Sequence, residues 1–182
     1  YLVIATGSVT NFYGNKSLEN NCMQLKTIGH ALDLRSDILQ EFEKAIVQQN
    51  TETIHQILNF VIVGGGPTGV ETAGAIAEIK NNVLPADYRE LNPDMMQVHL
   101  IESGNVLLSM FDSKLSEKAN ADLTKLGVKV WLNTRVISYE NGLLQLSNGT
   151  NFKTDTVIWS AGVAGQTIKG LETAVVKGNR YQ

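Results

Sequence analysis

The segment from residue 59 to residue 69 constrains the fold of this chain more than any other. Asn59–Val63 is a short apolar run rich in β-branched residues and predicts a buried strand. The run leads directly into Gly64, Gly66 and Gly69, spaced as Gly-x-Gly-x-x-Gly, and Pro67 suits the first position of a following helix. Strand, glycine pattern and helix together predict a Rossmann-like βαβ unit, so we expect an α/β fold with a parallel sheet.

The glycines of this pattern have separate expected tasks. The first makes a tight turn, the second lets a diphosphate approach the backbone, and the third allows helix and strand to pack closely. N–H groups of the first helical turn would point at the phosphates, where the helix dipole favours negative charge. The alternative is a glycine-rich turn that binds no ligand. The predicted dinucleotide-binding residues of this segment are Gly64, Gly65, Gly66, Pro67, Thr68 and Gly69.

A second candidate ligand residue, Glu102, ends the next predicted strand, 97–102. An acidic side chain at this position can accept hydrogen bonds from the adenosine ribose hydroxyls of NAD. It lies further from the glycines than is usual, which an insertion at 83–96 explains, and an ordinary exposed carboxylate is the alternative. No lysine or arginine follows before Lys114, so no nearby cation is expected to hold a 2′-phosphate, and NAD(H) is favoured over NADP(H).

Two further positions are candidates for the reacting end of a dinucleotide. Glu71 falls in the second turn of the motif helix, where it either approaches the nicotinamide or covers exposed helix surface. Ala161 and Gly162 form a small-residue turn after a predicted buried strand, 156–160, and ligands of open α/β sheets bind at the carboxyl ends of strands. A plain chain reversal is the alternative for this turn.

The rest of the chain alternates between helical and extended patterns. Apolar residues at three- and four-residue steps predict an amphipathic helix over 27–49, and 53–58 predicts a second, short helix. The motif helix is expected from Pro67 to about residue 81, and a polar helix over 112–126 precedes a strand at 128–132. We expect a buried strand at 1–5, then a polar loop to about residue 21.

Two Asn-Gly pairs indicate a change of sheet type near the carboxyl end. Asn141-Gly142 and Asn148-Gly149 separate short extended runs, and both positions of this dipeptide tolerate the positive φ of a tight hairpin turn. The pattern predicts a small antiparallel β-meander after the parallel unit. The runs are 136–140, 143–147 and 151–160, the last of which includes the buried strand.

Composition excludes several other kinds of site. With a net charge of -3 and scattered lysines, the chain offers no continuous positive surface for nucleic acid. Cys22 is the only cysteine, which excludes an internal disulfide, a redox thiol pair and a multi-cysteine metal site. The three histidines lack metal-pair spacing, so we predict no metal site. No run is long and apolar enough for a membrane span, and no export leader is visible.

The motifs at 1–8, 60–73, 101–102 and 157–163 resemble those of the flavoprotein reductases with two dinucleotide-binding domains, and most closely the type II NADH dehydrogenases. The resemblance covers essentially the whole chain and implies the inserted NAD(H)-binding domain of an FAD- and NAD-linked reductase. It implies NADH on residues 64–69 and Glu102, and it places Glu71 near the nicotinamide and the flavin. Hydride would pass from NADH to FAD, and electrons would then pass to quinone.

The resemblance also implies a division of the chain. Residues 1–26 would form the edge of the FAD domain and a crossover, 27–165 the NAD(H)-binding domain, and 166–182 the start of the return crossover. The chain lacks an initiator methionine and both flavin motifs of the family, so we expect an excised domain that binds NADH without turnover. The parent enzyme is expected to be cytoplasmic and peripheral on the inner membrane. The alternatives are another pyridine-nucleotide reductase (ferredoxin, rubredoxin or nitrite type) and a non-catalytic NAD(H)-sensing module.

Overall fold

The structure is a computed structural model that describes residues 3, 5–166 and 168–170, together with the backbone of two short strands at 176–177 and 180–181. The strand predicted at 1–5 and the return crossover predicted at 166–182 lie largely outside the described residues. The helices are α1 (Lys16–Asn21), α2 (Ile28–Ile46), α3 (Thr51–Ile57), α4 (Pro67–Glu78), α5 (Leu84–Asp87) and α6 (Ser113–Lys125), with a π-helix at Ile79–Val83 and a 3-10 turn at Pro93–Met95. The strands are β1 (Ser8–Thr10), β2 (Met23–Gln24), β3 (Asn59–Val63), β4 (Gln97–Ile101), β5 (Val128–Trp131), β6 (Val136–Glu140), β7 (Leu143–Leu146), β8 (Asn151–Lys153), β9 (Thr156–Trp159), β10 (Val163–Gly165), β11 (Val176–Lys177) and β12 (Arg180–Tyr181).

A parallel sheet of five strands in the order β2-β9-β3-β4-β5 forms the centre of the fold. The helix α4 connects β3 to β4 and α6 connects β4 to β5, so both crossovers use a helix as parallel neighbours require. Every residue of β3 and β9 is buried, as expected of strands covered on both faces. The α/β class and the parallel βαβ arrangement predicted from the sequence are confirmed.

Alternate residues of the central strands contribute to two hydrophobic cores, one on each face of the sheet. Phe60 and Ile62 point into a core beneath α2, α4 and α6, whereas Val61 and Val63 point to the opposite face. That second face is covered by α1 and by the antiparallel sheet β6-β7-β8, through Leu18, Tyr139 and Leu144. The predicted meander is therefore present, and the positive φ of Asn141 and Gly142 gives it the tight hairpin turn expected of that dipeptide.

The polar loop predicted after residue 8 is wrong. Residues 8–10 form β1, which pairs antiparallel with β10, and residues 16–21 form α1. Asn15 accepts a hydrogen bond from the N–H of Leu18 and so caps this helix, and Leu18 anchors it in the second core. These elements could not be predicted from local patterns, because β1 pairs with a strand more than 150 residues away and α1 has only six residues.

The motif helix is shorter as an α-helix than predicted, but the backbone stays helical beyond it. The α4 helix ends at Glu78 and continues through the π-helix and α5 to Asp87. Residues 83–96, predicted as a loop or short helix, thus begin in helix and end in the 3-10 turn before β4. No helix in the part of the chain that the structure describes has the length and apolarity to cross a membrane.

Candidate functional site

The site is built first from the turn between β3 and α4. Gly64 follows the last residue of β3 and has a φ of 113°, a conformation that side chains rarely adopt. A Cβ atom on it would lie 2.8 Å from the Cα of Ala161, because the turn after β9 passes directly beside it. The tight turn predicted for Gly64 is confirmed, and the two small-residue turns predicted separately lie against each other.

Gly69 and Gly65 also occupy positions where the protein itself leaves no room for a side chain. A Cβ on Gly69 would lie 1.8 Å from the carbonyl oxygen of Gly64, so α4 can start this close to β3 only with glycine there. A Cβ on Gly65 would lie 2.7 Å from Leu107 and 2.9 Å from the Cγ of Glu102. The close packing of helix and strand expected at Gly69 is therefore observed.

Gly66 differs from its neighbours because the protein does not require a glycine there. A Cβ on Gly66 would meet no atom within 4 Å, and its φ of -75° is ordinary for any residue. Among the described residues, no hydrogen-bond partner is present for the N–H groups of Gly66, Thr68 and Gly69, and no side chain caps α4. These N–H groups at a helix N-terminus form a backbone site for an anion.

Glu102 lies beside this loop, at the carboxyl end of β4. One carboxylate oxygen accepts a hydrogen bond from the N–H of Gly65 at 2.6 Å, and the other accepts from the N–H of Gly104 at 2.5 Å and the hydroxyl of Ser103 at 3.2 Å. Three of about four acceptor positions are thus used within the protein. The carboxylate holds the glycine loop in place and keeps one position for a further donor.

A cavity of about 550 Å³ opens along the carboxyl edge of the sheet, over the ends of β9, β3 and β4. Its floor includes Gly64, Glu102 and Ala161, so three of the predicted site residues share one cavity. Gly162 lies beside Tyr13, which also lines the cavity. Pro67, Thr68 and Glu71 are exposed at the start of α4 and are not among the cavity-lining residues.

One wall of the cavity is aromatic and was not predicted. Phe12 stacks on Trp159 with ring centroids 5.4 Å apart, and the indole N–H of Trp159 donates to the carbonyl oxygen of Asn11. Tyr13 follows with a φ of 53°, held by a hydrogen bond from its N–H to the side chain of Asn11. A Cβ on Gly162 would lie 2.3 Å from the Tyr13 hydroxyl oxygen, so this ring lies directly over the turn after β9.

A positively charged side chain, Arg135, lies on another wall of the cavity. Arg135 follows β5 and lines the cavity together with Glu102 and Ser103. The expectation that no nearby cation holds a 2′-phosphate considered only residues close in sequence, whereas Arg135, far along the chain, lines the same cavity as Glu102. The sequence offered no signal for Arg135, whereas the Phe12-Tyr13-Gly14 run, two aromatic residues before a glycine, could have suggested an aromatic turn.

Burial shifts the pKa of two further ionisable groups, Cys22 and His99, which do not line the cavity. Burial raises the pKa of the Cys22 thiol to about 12, so this free cysteine is protonated and unreactive at neutral pH. Burial, and to a smaller extent the charge of Lys129, lowers the pKa of His99 to about 4, and its Nδ1 accepts a hydrogen bond from the indole of Trp131. No group of three metal-ligating side chains occurs among the described residues.

Family comparison agrees with this geometry. Residues 1–181 match the pyridine nucleotide-disulphide oxidoreductase family. The chain belongs to that family. The family match and the parallel sheet with its antiparallel meander confirm the predicted fold class.

Relatives within the family are quinone reductases by name. The type II NADH:quinone oxidoreductase Ndh of Mycobacterium tuberculosis is 34% identical over 171 residues, which are 92% of this chain and 37% of the relative. An external alternative mitochondrial NAD(P)H-ubiquinone oxidoreductase of Arabidopsis thaliana is 32% identical over 99% of this chain and 32% of its own length. The chain thus spans about a third of these family members.

A solved structure of the family has the same fold. The NDH2 protein of Plasmodium falciparum, solved in complex with NADH, superimposes with a TM-score of 0.88 at 27% identity. The superposition covers 96% of this chain and 37% of that protein. The resemblance to type II NADH dehydrogenases predicted from the motifs is confirmed at the level of these relatives.

Proposed function

We propose that this chain forms the NAD(H)-binding unit of a flavin-dependent type II NADH:quinone oxidoreductase. The observation that carries the proposal is the set of N–H groups at Gly66, Thr68 and Gly69, which lack partners among the described residues, together with the open space where a Gly66 side chain would project. A diphosphate suits this site because it accepts several N–H donors and its charge is stabilised by the helix dipole. The names of the relatives support NADH as the donor and quinone as the acceptor.

The strand order gives the bound dinucleotide a direction. The glycine loop follows β3, which lies between β9 and β4 in the sheet. Glu102, after β4, would accept a hydrogen bond from the adenosine ribose, and the nicotinamide would extend the other way, toward Ala161 and Gly162 after β9. Tyr13 then lies on the nicotinamide side and Arg135 on the adenosine side.

Glu71 is proposed as the residue nearest the reacting atoms. It is exposed on α4, two residues after Gly69, where a second domain can approach it. In the whole protein, FAD would accept hydride from the nicotinamide and pass electrons to quinone. The residues of this chain bind and orient the donor for that transfer.

The division of the chain into crossovers and a binding unit is also proposed. Pairing of β1 with β10 outside the main sheet supports crossovers to an FAD domain at both ends. Because β2 pairs with β9 in the main sheet, we place the start of the NAD(H)-binding unit near Lys16 rather than residue 27. For the whole protein we propose peripheral attachment to the cytoplasmic face of the inner membrane, where quinone is available.

The test is a Gly66→Ala variant of the purified protein, titrated with NADH and followed by nucleotide fluorescence. The added methyl group fits the protein but occupies the approach of the diphosphate, so we expect at least tenfold weaker binding with unchanged thermal stability. Loss of one or two charged hydrogen bonds supports that size of effect.

A Gly29→Ala variant is the matched control, since Gly29 lies in the first turn of α2 and a Cβ there makes only an ordinary contact at 3.6 Å. It should bind NADH like the unsubstituted protein. Equal NADH affinity of the Gly66→Ala variant would show that the diphosphate does not bind at this turn, and the proposal would fail.

A further inference from the structure

We propose that Arg135 determines donor specificity by binding the 2′-phosphate of a phosphorylated dinucleotide, so that the site accepts NADPH beside NADH. This inference rests on the proposed function, because it places the adenosine end of the dinucleotide beside Glu102. It goes further by assigning a role to a residue on a different strand and by naming a second donor.

The backbone fixes Arg135 next to the adenosine end. The N–H of Thr134 donates to the carbonyl oxygen of Glu102 at 3.0 Å, and the N–H of Asn133 donates to that of Gly104 at 2.8 Å. The segment after β5 is therefore tied to the segment after β4, one residue before Arg135. Arg135 itself exchanges two hydrogen bonds with Ser147, from its N–H to the Ser147 hydroxyl at 2.9 Å and from the Ser147 N–H to its carbonyl at 2.8 Å.

The guanidinium group is available to a ligand. Arg135 is exposed at the cavity wall, and it forms no ion pair with a carboxylate among the described residues. Glu102, the acidic residue that shares the wall, already accepts three hydrogen bonds from Gly65, Ser103 and Gly104. An arginine stays protonated at any physiological pH, and its planar donors match two oxygens of a phosphate group.

Charge balance explains why both donors would be accepted. A carboxylate alone at the ribose would repel a 2′-phosphate, whereas a guanidinium on the same wall cancels that charge and adds donors. With NADH, the remaining acceptor position of Glu102 binds the ribose hydroxyl. With NADPH, the phosphate would lie on the Arg135 side of the cavity, and the Ser103 hydroxyl can turn toward it.

The experiment compares dissociation constants for NADH and NADPH in the unsubstituted protein and in Arg135→Gln and Arg135→Lys variants. We expect Arg135→Gln to weaken NADPH binding about tenfold or more while NADH binding changes less than twofold, because only the phosphate loses a charged partner. Arg135→Lys should keep part of the NADPH affinity, since it retains charge but not the paired donors. NADPH affinity of the unsubstituted protein should fall more steeply with added salt than NADH affinity.

Arg35→Gln is the control for loss of one positive charge, because Arg35 is exposed on α2 and does not line the cavity. It should leave both constants unchanged. Equal weakening of NADH and NADPH by Arg135→Gln would mean that the side chain stacks on the adenine ring or orders the wall, and would overturn the inference. So would an unchanged NADPH constant, or failure of the unsubstituted protein to bind NADPH while it binds NADH. If it binds neither dinucleotide, the proposed function itself fails.

Discussion

The two parts of the site, the glycine loop of residues 64–69 and the walls of the cavity beside it, are built in different ways. The loop offers backbone N–H groups, and it packs so closely on the turn after β9 and on β3 that a Cβ atom on Gly64 or Gly69 would lie within 3 Å of backbone atoms. The cavity walls offer side chains, among them Tyr13 and Arg135, that separate segments of the chain carry there. Backbone donors recognise the diphosphate that all dinucleotides share, whereas side chains can recognise what distinguishes one dinucleotide from another.

This difference predicts how the glycine loop and the cavity walls respond to substitution. Changes at the loop should affect the fold or the binding of every dinucleotide, because the same backbone atoms serve both. Changes on the cavity walls should leave the fold intact and alter selectivity, whereas acid should act on the buried His99, which lies outside the cavity lining. The glycines of the loop differ from one another. A Cβ atom on Gly64 or Gly69 would clash with the backbone, whereas one on Gly66 would meet no atom of the protein.

The largest effect is expected from Gly69→Ala. The new methyl group would lie 1.8 Å from the carbonyl oxygen of Gly64, a backbone atom that cannot move without shifting β3 or α4. Overpacking of this kind costs about 3 kcal/mol or more in the free energy of unfolding. Urea unfolding of the purified protein measures it, with Gly29→Ala as the reference. A stability within 1 kcal/mol of the unsubstituted protein, as an order-of-magnitude threshold, would show that the loop is less rigid than this comparison requires.

Acid should weaken the packing of the meander β6-β7-β8 on the central sheet through His99. This histidine packs against Phe152 of β8 and Trp131 of β5, so it joins the central sheet to the meander. Its pKa of about 4 lies below the ordinary value of 6.5, so the folded protein favours the neutral ring. The resulting stability is complete above pH 6.5 and is lost as the pH falls toward 4, by an amount on the order of 3 kcal/mol.

A His99→Gln variant removes this titration and retains an acceptor for the Trp131 indole. Its stability in urea should therefore change less between pH 7 and pH 4.5 than that of the unsubstituted protein. His55→Gln, at an exposed histidine, should follow the unsubstituted protein. Parallel pH profiles for His99→Gln and the unsubstituted protein would exclude His99 as the acid-sensitive group.

The sequence predicted the glycine loop far better than the cavity walls, for a physical reason. Residues 59–69 carry strand, turn and helix within one short segment, so local conformational rules predict β3, the positive φ of Gly64 and the start of α4. Arg135 lines the same cavity as Glu102 because β5 pairs with β4, and no local rule predicts that pairing. Tyr13 likewise depends on pairing of β1 with β10, and α1 was missed because six residues carry little periodicity.

Glu102 binds the glycine loop through Gly65 and also lines the cavity, and two substitutions separate its roles. Glu102→Ala removes the acceptor for Gly65 and Gly104 as well as for the ribose, and should weaken NADH binding by about 1.5–3 kcal/mol. Glu102→Gln keeps the side-chain length, but its amide NH₂ would face one of the two backbone N–H donors. We therefore expect Gln to bind NADH as weakly as Ala, and the exposed Glu117→Ala on α6 to have no effect. If Gln instead retains most of the affinity, the carboxylate serves the ribose alone, and another contact must position the glycine loop.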